Sequence, residues 1–165
     1  MGVYSIDNFN DIRLPKDACV FIVRTEWNKE IVDRLEEGAV NCLKHFNVKH
    51  KVIYVPGAVE IAFAVKKCWD YSIVSSRPSA FITLGCVIKG DTPHFEYVCQ
   101  AAINGNTQLN LMLPVPTIFG ILTVNDSQQA VERIGGIHGH KGEEAALTAL
   151  KMISFSNATE NPVNR

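Results

Sequence analysis

The sequence predicts a three-layer α/β/α sandwich, doubly wound around a four-stranded parallel sheet, with residues 1–165 forming one domain. Three observations carry that expectation. Apolar runs of strand length alternate with longer stretches of helical period along the chain. Those strand runs are apolar in the manner of a parallel sheet covered on both faces. The 165 residues, 47% hydrophobic and 20% charged, suffice for one real core and are short for two.

The elements follow in order. Residues 19–24 (CVFIVR) read as the first strand. Residues 28–46 follow as an amphipathic helix, with Ile31, Leu35, Ala39, Cys42, Leu43 and Phe46 on one face. Residues 51–55 (KVIYV) form the second strand, and 59–69 a helix apolar nearly all round. The third strand spans 80–84, with room to extend to Ile88. A helix over 94–112, a strand over 117–124, a short helix over 127–134 and a last helix over 141–155 complete the pattern. The segment 1–17 reads as a polar N-terminal arm, and 156–165 as a loose tail. Residues 71–79 form a surface connection, and 135–140 a short glycine-rich linker.

Composition narrows the function. A net charge of −1 with scattered Lys and Arg argues against nucleic-acid binding. No apolar run is long enough to span a bilayer, and the N-terminus lacks the order of a secretory signal. The five cysteines are odd in number and form no C-x-x-C pair; they read as reduced, buried thiols of a cytoplasmic protein. His138 and His140 have no third ligand nearby in sequence, so no metal is expected.

The richest segment is 80–97, AFITLGCVIKGDTPHFEY. It combines a buried strand, a turn containing Gly90, and a helix that carries His94 in its first turn. Ligands of α/β proteins bind at the carboxyl ends of strands. Asp91 or Thr92 can cap the helix, and Pro93 suits its first position. The helix start can hold an anion, and its dipole disfavours the imidazolium, leaving His94 ready to accept a proton. The plainer reading is an ordinary helix start with an exposed histidine.

Other segments give weaker signals. Trp27 could stack on a flat heterocycle, or staple onto Val32 beside an N-cap at Asn28. After the second strand, Gly57 allows close backbone approach beside Ala58 and Val59, and Glu60 can accept hydrogen bonds; a plain helix start explains them as well. Phe119 is most simply core. Arg133 closes the short helix. Lys141 opens the last one, where a cation is electrostatically out of place.

Taken together, these segments resemble the lumazine synthase family. The resemblance covers nearly all of 20–153. It rests on Trp27-Asn28, VPGAVE (55–60), LGCVIKGDTPHFEY (84–97), PTIFGILT (116–123), AVER (130–133) and HKG (140–142), in order and at family-like spacing. It implies a flavodoxin-like sheet and a transferase that needs no cofactor. The implied reaction condenses 5-amino-6-(D-ribitylamino)uracil with 3,4-dihydroxy-2-butanone 4-phosphate to 6,7-dimethyl-8-ribityllumazine, the penultimate step of riboflavin synthesis. His94 matches the family's proton shuttle. Trp27 matches its ring-stacking position, Ala58, Val59 and Glu60 its ribityl contacts, and Cys86, Val87 and Ile88 the backbone that reads the pyrimidine edge. Asp91, Thr92 and Arg133 match the phosphate site. Phe119, Arg133, Lys141 and Glu144 match positions that a neighbouring subunit supplies.

The family assembles as pentamers, in some members as a shell of twelve. The short linker 135–140 leans toward the shell, and riboflavin synthase is a candidate guest. Residues near 13–17 match an arm that pairs with a neighbour's sheet edge. Val59 stands where an aromatic is common and Glu144 where a shorter acid is common. Two other readings compete. A non-catalytic flavin or lumazine binder would have no need of the phosphate anchor. A receiver or flavodoxin-type domain would need an acidic cluster or a hydroxyl-rich loop after the first strand, and residues 24–28 supply neither.

Overall fold

The first strand, β1 (Cys19–Thr25), is buried on both sides along almost its whole length. It sits between β2 (Lys49–Val55) and β3 (Ala80–Ile88), and β4 (Thr117–Val124) closes the far edge, giving the parallel order β2-β1-β3-β4. The computed structural model describes residues 12–160. Chain direction across the sheet reverses between β1 and β3, so the crevice at their carboxyl ends is the expected ligand position.

Two cores flank the sheet. On one face Val20, Ile22, Ile82 and Leu84 pack against α1 (Lys29–His45) and α5 (Lys141–Glu160) through Leu35, Leu43, Leu147 and Leu150. On the other, Phe21, Val23 and Phe81 meet α2 (Ile61–Tyr71) and α3 (His94–Met112) through Val65, Ala102 and Leu109. Each large side chain buried this way contributes about 1.5–3 kcal/mol of transfer free energy. Helix α1 stops in a left-handed turn at Asn47 (φ 54°), where Asn47 and Val48 N–H donate to the Lys44 and Leu43 carbonyls at 3.0 and 2.9 Å. α1 and α5 meet backbone on backbone at one point: a methyl on Gly142 would overlap the Leu35 carbonyl.

Several boundaries differ from expectation. β2 begins two residues early, because an edge strand tolerates the polar Lys49 and His50. A 3₁₀ turn, Ala58–Glu60, precedes α2, and α2 buries only Ile61 and Val65 while Phe63 stays 68% exposed. The short helix α4 covers Ser127–Val131 rather than 127–134. Gly135, at φ 106°, then lets the chain turn into a hairpin of β5 (Ile134–Gly136) and β6 (Gly139–His140). α5 runs past Phe155 to Glu160, so residues 156–160 of the expected tail are helical. Of the N-terminal arm, 1–11 lie outside the described residues; Ile12 and Leu14 pack on the first core, and Arg13 N–H donates to Ser154 Oγ at 3.1 Å.

Candidate functional site

A cleft of about 470 Å³ opens at the carboxyl ends of β1 and β3. Trp27 and Asn28 enter it from the turn after β1. Gly57, Ala58, Val59 and Glu60 enter after β2, Cys86, Val87 and Ile88 end β3, and Gly90, Thr92 and His94 follow. His94 is the first residue of α3 and is exposed. Asp91 lies on the same turn, exposed, but is not part of the cleft wall. Pro93 occupies the cap position of α3 rather than the first helical one, and neither Asp91 nor Thr92 caps the helix.

The turn after β1 is tied on both sides. Glu26 and Trp27 N–H donate to the Val55 and Pro56 carbonyls at 2.8 and 3.3 Å. Asn28 sits in the left-handed region (φ 54°), and its Nδ2 donates to the Cys86 carbonyl at 2.8 Å. The expected cap is therefore not made: the amide bridges two strands instead. Trp27 is 71% exposed, a presented ring rather than a staple. Burial pushes the Cys86 thiol up to about 11, so it is not a nucleophile near neutral pH. Thr25, Phe95 and Val98 complete the wall. Sequence reading missed them; Val98 lies four residues after His94 and three after Phe95, helical spacings that mark one face and were there to use.

A second cleft, of about 480 Å³, lies along β4, the far edge strand, with Phe119, Arg133, Lys141 and Glu144 in its wall. Lys141 Nζ donates to both Glu144 carboxylate oxygens at 2.8 Å. Arg133 lies past the end of α4, and its Nη1 donates to the Gln129 carbonyl at 2.7 Å. The two clefts share no residue. Within one chain, Glu144 and His94 thus belong to different walls. Among the described residues no group of three or more His, Cys, Asp or Glu could hold a metal ion, and no helix is long and apolar enough to cross a membrane.

A family model described as 6,7-dimethyl-8-ribityllumazine synthase matches residues 17–157. The chain belongs to that family. The 6,7-dimethyl-8-ribityllumazine synthase of Parabacteroides distasonis is 45% identical over 152 residues, 90% of this chain and 92% of that protein. Those of Phocaeicola vulgatus and Bacteroides fragilis are 42% and 44% identical, over 90% and 81% of this chain and 88% and 93% of theirs. Membership of the lumazine synthase family places the chain among transferases of riboflavin biosynthesis.

Proposed function

We propose that the protein condenses 5-amino-6-(D-ribitylamino)uracil with 3,4-dihydroxy-2-butanone 4-phosphate, releasing phosphate, water and 6,7-dimethyl-8-ribityllumazine. The observation that carries this reading is the division of one chain's site residues between two separate clefts. The first supplies what the pyrimidine needs: an exposed indole, the backbone at the end of β3, and Glu60 for ribityl hydroxyls. His94 is the proton carrier. Imine formation, phosphate elimination and ring closure each move a proton, and a positioned imidazole serves all of them. The second cleft supplies cations for the phosphate, in Arg133 and Lys141.

On this reading the active site closes only where the first cleft of one subunit meets the second cleft of the next. We read the assembly as a pentamer, with the tight β5–β6 hairpin compatible with a shell of twelve and with riboflavin synthase as its guest, in the cytoplasm. No cofactor is needed, since every step is acid–base chemistry. Purified protein given both substrates should release phosphate and form a fluorescent lumazine. Tight riboflavin binding with no product would instead favour a non-catalytic binder. Sedimentation separates pentamer from shell.

A further inference from the structure

His140 lies outside both clefts, yet it is bonded to the elements that carry the second. It is the residue before α5, and the Glu143 backbone N–H, third in the helix, donates to its Nδ1 at 3.5 Å. That is an N-cap made by an imidazole. The bond needs a lone pair on Nδ1, which the neutral ring has and the imidazolium lacks. The ring also lies on Gly38 of α1, so close that a methyl there would overlap it. A methyl on Gly135 would meet its Cδ2 at 3.6 Å. Strand pairing sets His140 opposite Ile134, and Lys141 N–H donates to the Arg133 carbonyl at 2.8 Å. Arg133 and Lys141, the two cations of the second cleft, thus face each other one step along from the Ile134–His140 pair, beside the residue whose ring joins the hairpin to α1.

The geometry points to His140 as a positioning residue: its neutral ring caps α5 and pins the hairpin, and Arg133 and Lys141 keep their places only while it stays unprotonated. The catalytic consequence rests on the function proposed above; the structural one does not.

The surroundings set the direction. Arg34 and Glu37 face the ring from α1, and Glu143 from α5; Cys42 and His45 line the same hollow. Burial holds His140 below its ordinary 6.5 and Arg34 acts with burial, while Glu143, a hydrogen bond to the residue's own backbone and Glu37 oppose it. Cys42 is pushed up to about 12 by burial and carries no charge. His138, on the hairpin, lies 3.7 Å from Glu132. The start of α5 adds the positive end of a helix dipole, which also disfavours the imidazolium. A histidine whose folded pKa lies below its unfolded value binds more protons unfolded. Its contribution is complete above about pH 6.5 and is lost as pH falls from there through the folded pKa.

The test compares the assembled wild-type protein with His140→Asn, a neutral acceptor suited to an N-cap, and His140→Ala. Amide hydrogen exchange over residues 134–144, corrected for intrinsic rates, should rise about tenfold in wild type between pH 7.5 and 5. It should stay low and flat in His140→Asn and be fast throughout in His140→Ala. In wild type, KM for the phosphate-bearing substrate should rise with the same acid midpoint as the exchange, before kcat falls, and that rise in KM should vanish in His140→Asn, while any acid fall in kcat through His94 remains in both. Flat exchange in wild type, or an Asn variant whose exchange tracks wild type, overturns the inference. If no lumazine forms at any pH, the exchange comparison still decides the positioning role while the functional reading fails. If His140→Ala does not fold, an NMR titration of the His140 ring decides instead: a midpoint below 6.5 supports the inference, and one at or above 6.5 overturns it.

Discussion

The two clefts differ in what holds them. The first is walled by strand ends and turns, cross-tied by the Glu26 and Trp27 amides on one side and the Asn28 side chain on the other. The second has a strand as its floor, but its cations ride on the end of a five-residue helix, a hairpin and the first turn of α5. On the function proposed above, ring recognition thus falls to strand ends and their cross-tied turns, and charge to short elements next to a hairpin and a helix start. On that same function, each cleft holds only half of the groups the reaction uses.

The largest expected effect breaks that comparison directly. His94→Ala and Arg133→Ala should each leave little activity, since a general acid–base group alone contributes about 10²–10⁴-fold. Unfolded together and refolded as mixed oligomers in equal amounts, they should recover roughly a quarter of wild-type activity, because about one interface in four joins two intact halves. A site within one chain would recover nothing, as every chain would lack one group. Enzyme assay before and after mixing reads the difference.

Next in size is stability at the support of the second cleft. Gly142→Ala forces a methyl into the Leu35 carbonyl, a backbone atom that moves only with α1. A loss of about 3 kcal/mol is expected. Gly90→Ala, on the first cleft's turn, meets nothing within 4 Å and should be nearly neutral. Urea midpoints of the two variants give the contrast, and equal midpoints would remove the claim that the second cleft depends on close α1–α5 contact.

Trp27 sharpens the first cleft's role. Trp27→Ala should raise KM for the pyrimidine substrate about tenfold, and Trp27→Phe much less, since a ring face is what stacking uses. An equal effect on the phosphate substrate's KM would mean that the indole shapes the whole cleft and not the ring subsite alone.

How much of this was legible follows from where each feature's partners lie. β1 and β3 were readable because parallel strands buried on both faces are continuous apolar runs, and β4, an edge strand, because its residues are mostly apolar as well. The first cleft was readable because it is built at strand ends, which sequence marks with Pro56-Gly57 and Gly90. The hairpin was not: residues 132–134 continue a helical pattern in sequence, yet α4 ends at Val131 and the hairpin turns through Gly135 and Gly139, both at positive φ. α2 read as apolar nearly all round, but periodicity cannot say what covers each face; Phe63 of α2, like Tyr97 and Leu111 of α3, is left bare by this chain. Asn28 read as a cap because its true acceptor is 58 residues away.

Asn28 carries the smallest and most specific prediction. Two terms act there: a left-handed backbone, which costs a residue other than Gly, Asn or Asp about 1–2 kcal/mol, and a hydrogen bond worth about 1 kcal/mol. Asn28→Ala loses both, Asn28→Gly only the bond. Asn28→Asp keeps the backbone tolerance but sets a carboxylate against the Cys86 carbonyl. Stability should therefore fall least for Gly, with Ala and Asp lower by about 1 kcal/mol. KM for the pyrimidine should rise in all three, because the bond ties Trp27's turn to the strand end that faces the same ring. If Asn28→Gly keeps wild-type KM, the bridge serves folding alone, and the two backbone ties to β2 suffice to present the indole.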